Sequence, residues 1–264
     1  MLEIFGFIAA LFIGLLLGLM GGGGSIVTVP VLVYLMHYSP VVATGYSLFV
    51  VGSTSVVGAS MYWKRGLIDF KTALSFGIPA SIAVYLTRQF IIPAIPDKMF
   101  EIGSFHVTKS IFLMLLFAVI LIMASMSMVK GRQRVEKAPG EQNIIQRSVL
   151  LQGVGIGFLT GMVGVGGGFM IVPALVILSG LSMKRAVGTS LLIIAANSLI
   201  GFLGDIFRSD IDWRFLLVFT VISIIGIFIG NFLSKKIPGE KLKKSFGWFV
   251  LIMGLYILLK EIWF

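Results

Sequence analysis

The chain contains no cysteine among its 264 residues. Disulfides, thiolate metal sites and cysteine nucleophiles are therefore excluded. Charge is scarce as well. Asp, Glu, Lys and Arg make up 12% of the sequence, about half the ~25% of an ordinary soluble domain. So little charge cannot cover the surface of a soluble globule of this size. Disorder is excluded too, because it needs low hydrophobicity, and here 58% of residues are hydrophobic with a mean hydropathy of +1.05. The 2 histidines, His37 and His106, fall in predicted loops, where a solvated or interfacial role outweighs a proton relay. No histidine pair has zinc spacing, and no Ser-His-Asp set lies at one depth. Gly18 to Ser25 lacks the Gly-Lys-Ser/Thr ending of a phosphate loop and a strand before it, and Gly153-Val-Gly155-Ile-Gly157 is no dinucleotide fingerprint. The sequence thus calls for no enzyme, no metal and no cofactor.

What is present is long apolar runs, separated by short polar punctuation. They are apolar throughout and lack the ten-residue alternation of a transmembrane barrel, which leaves an all-α polytopic membrane protein. Six runs have the roughly 20 residues that a spanning helix needs: 41–63, 72–92, 107–130, 186–206, 214–234 and 246–264. Two others, 26–36 and 169–180, are too short to cross, and each follows a glycine cluster. The runs before those clusters, 4–20 and 148–163, are marginal. Met1-Leu2-Glu3 carries no basic stretch, so the first run reads as a retained helix and not as a cleaved signal peptide.

The four misfit runs form two similar pairs. Gly14-Leu-Leu-Leu-Gly18-Leu-Met-Gly21-Gly-Gly23-Gly24 through Val29-Pro30 superimposes, at a constant shift of 143, on Gly157-Phe-Leu-Thr-Gly161-Met-Val-Gly164-Val-Gly166-Gly167 through Val172-Pro173. The shift holds without a gap from residue 14 to 71, with 21 of 58 positions identical. Chance in a chain this apolar gives roughly a tenth. The chain is therefore an internal duplication. The first repeat covers 1–130 (hairpin 4–36), the second 148–264 (hairpin 148–180), and a polar cytoplasmic linker, 131–147, joins them.

If each glycine-broken pair is a re-entrant hairpin, each repeat crosses the membrane three times and the second is inverted relative to the first. Basic residues agree. Loops 64–71, 130–147, 180–185 and 235–244 hold fifteen Lys and Arg, and the loops and termini of the other side hold five. The fifteen-residue side is cytoplasmic, and both termini face out. The excess of 21 Lys+Arg over 11 Asp+Glu is thus an orientation signal, not a nucleic-acid footprint. Residues 93–106, with Pro93 and Pro96, read as the longest external loop.

Non-helical backbone at membrane depth must be buried in protein or line a watery cavity. Two such breaks related by inversion describe a transporter's central site, where half-helix N-termini present free N–H groups to an anion. Gly22, Gly23, Gly24 and Ser25, with Gly166, Gly167 and Gly168, are the candidate backbone donors. Pro30 and Pro173 are expected near the half-helix starts, where a missing N–H matters least. Tight helix packing is the competing reading of the glycines, and Gly14/Gly18 and Gly157/Gly161 are assigned to it. Ser47 and Thr54 in one spanning helix, with Ser190, Asn197 and Ser198 in its mate, form a neutral polar lining suited to an oxyanion, with inter-helix hydrogen bonding as the alternative. Arg88 and Asp205, near outer helix ends, are expected to snorkel or to pair. Asp69 and Asp212 are expected to cap helices starting at 70 and 213.

The duplicated signature Gly18-x-x-Gly21-Gly-Gly-Gly24…Pro30 and Gly161-x-x-Gly164-Val-Gly-Gly-Gly168…Pro173 resembles that of the sulfite exporter TauE/SafE family of membrane permeases. So do Ala43-Thr-Gly45-Tyr-Ser47 and Ala186-Val-Gly188-Thr-Ser190. The resemblance covers essentially the whole chain. It implies a secondary transporter that moves sulfite, thiosulfate, a sulfonate or a similar small anion across the bacterial inner membrane. A coupling ion (H+ or Na+) and assembly into a homo-oligomer stay open. A passive anion channel and a non-transporting assembly protein are the alternatives.

Overall fold

A computed structural model describes residues 2–96, 98–102, 105–129, 142–163, 168–177, 179–205 and 211–263. In chain order the helices are α1 (Leu2–Met20), α2 (Gly23–Pro30), α3 (Pro40–Trp63), α4 (Phe70–Leu86), α5 (Ile92–Ala94), α6 (Lys109–Val129), α7 (Gln142–Val163), α8 (Gly168–Ile177), α9 (Met183–Leu203), α10 (Trp213–Ser234) and α11 (Gly239–Trp263). A wide π-helical turn, Val31–Leu35, prolongs α2, and another, Thr87–Ile91, joins α4 to α5. Six helical stretches among the described residues are long and apolar enough to cross a bilayer, and they are the six expected: Pro40–Trp63, Phe70–Ala94, Lys109–Met126, Met183–Leu203, Trp213–Ser234 and Glu240–Glu261. Large apolar side chains stand exposed in stripes, Leu74, Ile78 and Ile82 on α4 and Leu217, Val221, Ile225 and Phe228 on α10. Three- and four-residue spacing puts each stripe on one outward face, as lipid contact requires.

Several boundaries differ from expectation. The last helix begins at Gly239 and not at 246, because Glu240-Lys-Leu-Lys-Lys244 are good helix formers. Helix α7 starts at Gln142, so the end of the expected linker 131–147 is helical. The rest of that linker, residues 131–141, lies outside the described residues. The expected external loop holds a small antiparallel hairpin, β1 (Lys98–Ile102) with β2 (Phe105–Thr108), built from strand-favouring Phe, Ile, Val and Thr. The half-helices start at Gly23 and Gly168. Pro30 is therefore the eighth residue of α2, and Pro173 lies inside α8, neither in the first turn. Inside a helix proline removes one bond of the ladder, and after Pro30 the ladder widens into the π-helical turn.

Helix starts follow the side chains. Asp69 Oδ1 accepts from the Thr72 N–H at 2.9 Å, and Asp212 Oδ1 from the Phe215 N–H at 3.0 Å, so both aspartates cap as expected. Helix α1 ends at Gly21, whose φ of +73° is a left-handed conformation and whose N–H bonds the Leu17 carbonyl at 2.8 Å. The chain reverses there. A Cβ at Gly24 would run into the Ile13 carbonyl and Leu17, and one at Gly6 into Met36, so α2 returns along α1.

The main helix pairings are α1 with α10, α4 with α7, α6 with α11, and α3 with α9. The 143-residue shift carries α1 onto α7 and α10 onto α4, so the first two pairings exchange. Two capping contacts exchange in the same way. The Tyr46 hydroxyl accepts the Asp212 N–H at 2.7 Å, and the equivalent Thr189 hydroxyl accepts the Asp69 N–H at 2.9 Å. Glycine makes the α1–α10 seam. A Cβ at Gly14 or Gly18 would strike the α10 backbone at Ser223, Ile227 or Gly230, and one at Gly226 or Gly230 would strike Leu11 or Leu15. Gly153 and Gly157 sit close against the Phe76 and Ala80 carbonyls of α4, and Gly161 against Thr87 and the Val84 carbonyl. The packing role expected of Gly14/Gly18 and Gly157/Gly161 is thus the observed one.

Candidate functional site

Helices α3 and α9 cross antiparallel at the centre: Gly45 lies beside Asp205, Gly52 beside Ser198, and Gly188 beside Tyr62. Two short helices, α2 and α8, abut this pair. Their N-termini meet, because a Cβ at Gly22 would fall on the Gly168 carbonyl and one at Gly168 would lie 2.6 Å from the Gly22 Cα. Gly168 also faces Ile194 of α9, and Gly21 faces the Ser190 hydroxyl, 2.7 Å from where a Cβ would stand. Glycine is therefore required on both sides of the meeting point for steric reasons.

The polar residues singled out in the sequence are all enclosed. Ser25, Ser47, Thr54, Ser190, Asn197 and Ser198 are each 0% exposed. Two of them already spend their hydroxyls on nearby carbonyls: Ser25 donates to Gly22 at 2.6 Å and Ser190 to Val187 at 2.9 Å. The others do not. Ser47 Oγ, Thr54 Oγ1, Ser198 Oγ and Asn197 Nδ2 are buried without a hydrogen-bond partner, as are Ser55 Oγ and Thr160 Oγ1. Each such group forgoes about 1–3 kcal/mol relative to a satisfied one. Shape is not what holds them there, since valine fits a threonine's outline.

Two residues that the sequence did not single out join this set. Ser81 of α4 donates to Asn197 Oδ1 at 2.6 Å and so turns the amide's NH2 inward as a donor. Thr160 of α7 adds another hydroxyl. Neither carries a sequence signal, because each matters only once α4 and α7 are packed. Of the glycines, Gly23 faces Met20 and Phe246, and Gly24 faces α1, so their α-carbons serve the packing of the hairpin. Gly166 and Gly167 lie outside the described residues.

The charged pair lies at one end of this core. Arg88 is 1% exposed, and its Nη1 stands 3.2 Å from Asp205 Oδ2. It pairs within the protein and does not snorkel. The 143-residue shift relates Asp205 to Tyr62 and Arg88 to Asn231. At that other end the Tyr62 hydroxyl donates to the Gly18 carbonyl at 3.3 Å and lies 3.2 Å from Ser234 Oγ, and Asn231 Nδ2 lies 2.8 Å from Met61 Sδ. Above Tyr62 opens a cavity of about 370 Å³, lined by Tyr62, Arg65, Leu67, Lys184, Ser234 and Lys235.

Membrane-length helices with lipid-type exteriors around a neutral, donor-rich interior define a polytopic membrane transporter. The chain belongs to the sulfite exporter TauE/SafE family, whose model matches residues 6–257. It is 28% identical over 251 residues to a probable membrane transporter protein of Xylella fastidiosa, covering 93% of this chain and 91% of that one. It is 27% identical over 246 residues to the probable membrane transporter protein YdhB of Bacillus subtilis, covering 93% and 96%. A probable membrane transporter protein of Methanocaldococcus jannaschii is 26% identical over 273 residues, covering 98% and 95%. Proteins of this family are transporters and not enzymes, and this chain is a multi-pass protein of the inner membrane.

Proposed function

We propose that the protein is a secondary transporter for a small sulfur-containing oxyanion, such as sulfite, thiosulfate or a sulfonate, and that it works by alternating access. The single observation that carries the reading is the set of buried, unpartnered donors on Ser47, Thr54, Ser55, Asn197 and Ser198 of α3 and α9, the helix pair that α2 and α8 abut. Neutral hydroxyl and amide donors with helix N-termini stabilise an oxyanion without the full attraction of a buried cation, and release stays fast. The family description supports the sulfur chemistry.

In this reading residues 1–130 and 148–264 are inverted repeats, each a re-entrant hairpin plus three spanning helices, joined by a cytoplasmic linker over 131–147. The basic loops face the cytoplasm and both termini face out. The anion sits between the hairpins near the midplane, where Gly168 meets Gly22, and rocking of one repeat against the other exposes it to each side. H+ or Na+ supplies the coupling, and homo-oligomeric assembly is compatible with the exposed apolar faces. The test is flux of sulfite, thiosulfate and sulfonates into proteoliposomes under imposed pH and Na+ gradients. Saturable, gradient-driven uptake of at least one of them is expected. No uptake under any gradient overturns the substrate class, and flux that never saturates overturns the carrier mechanism in favour of a channel.

A further inference from the structure

Three cations that entered the sequence argument only as orientation signals converge in space. Arg65 comes from the turn after α3, Lys184 from the first turn of α9, and Lys235 from the residue after α10. They line one cavity of about 370 Å³, whose other walls are Tyr62, Leu67 and Ser234, with no carboxylate among them. Arg65 is held over the Tyr62 ring, 5.5 Å from its centre. Tyr62 itself is 3% exposed and forms the floor. Its hydroxyl reaches the Gly18 carbonyl, three residues before the break at Gly21, and its ring lies against Gly188, two residues before Ser190. One aromatic side chain therefore touches both the cationic cavity and the backbone of α1 and α9 near the glycine break. The equivalent position at the other end is closed by the buried Arg88–Asp205 pair.

We propose that this cavity is a second anion site, a vestibule that collects the transported oxyanion on the basic-loop face, with Tyr62 as the barrier between it and the central site. The inference rests on the transport reading for its substrate. The cations provide long-range attraction, which concentrates an anion at a mouth, and the neutral interior then holds it less tightly. A cavity of this size admits sulfite or thiosulfate with part of its hydration shell. A phospholipid phosphate offers the same chemistry, so the lipid is varied in the test.

The experiment uses the whole protein in nanodiscs and in proteoliposomes with known orientation. Its variants are R65Q/K184Q/K235Q and the charge-preserving R65K/K184R/K235R. Sulfite binding is read by calorimetry, independently of transport, and KM is measured with sulfite presented to each face. The neutral triple variant is expected to bind sulfite about tenfold more weakly. Its KM is expected to rise about tenfold from the basic face and far less from the other, with a flatter dependence on salt. The charge-preserving variant is expected to stay within twofold of the wild type. Equal KM values for wild type and neutral variant at the basic face overturn the vestibule while leaving transport intact. Wild-type protein that binds sulfite charge-dependently but carries none overturns the transport reading and leaves the anion site standing. An effect seen only in nanodiscs containing phosphatidylglycerol, and absent in neutral lipid, identifies a lipid phosphate as the ligand and overturns the vestibule.

Discussion

A hydroxyl inside a helical membrane protein ordinarily bonds back to a carbonyl of its own helix. Ser25, Thr28, Thr44, Ser190 and Thr220 do this. Ser47, Thr54, Ser55 and Ser198 do not, and this difference is what makes them the candidates for ligand contact in the proposed transport. Thr54→Val keeps the shape and removes an unpaired polar group. It is expected to leave thermal stability equal or raised by up to about 1–3 kcal/mol while lowering kcat/KM for the oxyanion at least tenfold, as read by melting and uptake on the same preparation. Ser81→Ala has the opposite stability sign, because it strips the Asn197 amide of its partner. Ser47, Thr54, Asn197 and Ser198 were singled out in the sequence from their matched places at the 143-residue shift, and all four are buried. Ser25 and Ser190 were legible as polar but not as already satisfied, because local back-bonding depends on rotamer and leaves no trace in spacing. Ser81 was hidden because its role arises from packing between helices far apart in the chain.

At the scale of the element, glycine does two jobs that one letter cannot tell apart. Gly18 sits in the α1–α10 seam with backbone against it on the far side, whereas Gly155 has nothing within 4 Å of where a Cβ would stand. Gly18→Val is expected to destabilise by about 1–3 kcal/mol through overpacking. Gly155→Ala is expected to be neutral or to stabilise by up to about 1 kcal/mol through helix propensity. Melting temperatures in one detergent check both. Gly24 belongs with Gly18, so a bulky substitution there reports on the hairpin and is a poor probe of substrate binding. Caps behave more locally. Asp212→Ala is expected to lose about 0.5–2 kcal/mol with transport retained in the folded fraction. The aspartate caps and the six long helices were readable because both depend on neighbouring residues. Helix α2 starts at Gly23, three residues before the apolar run 26–36: Gly23 and Gly24 look like loop, while the small size of Gly24 is what lets α2 pack onto α1.

Across the whole molecule, the exchange of helix partners between the halves ties α1 to α10 and α7 to α4, so neither half folds its hairpin against its own spanning helices alone. Separately expressed halves are expected to be unstable apart and to recover on co-expression, as measured by yield of monodisperse protein. The one buried ion pair among the described residues spans two halves as well. Asp205→Asn is expected to lower stability by of order 3 kcal/mol, since it removes a partner of an enclosed guanidinium, and R88Q/D205N is expected to recover part of the loss. The exchanged pairing was not read from the sequence, because it arises from packing between distant helices, and only their similar depth near outer helix ends hinted that Arg88 and Asp205 pair.

Positions related by the 143-residue shift differ at the two ends of the core. One end is fastened by a guanidinium and a carboxylate, the other by a tyrosine hydroxyl on a carbonyl and a serine. Under the alternating-access mechanism proposed above, these contacts act as two unequal latches. In that mechanism the resting population is expected to lean toward the conformation that keeps the stronger latch shut, and a lean of even 1.4 kcal/mol is a tenfold preference. Weakening either latch tilts the balance in opposite directions. The cysteine-free chain offers a direct gauge of that tilt, because a single introduced thiol on each face can be labelled against no background.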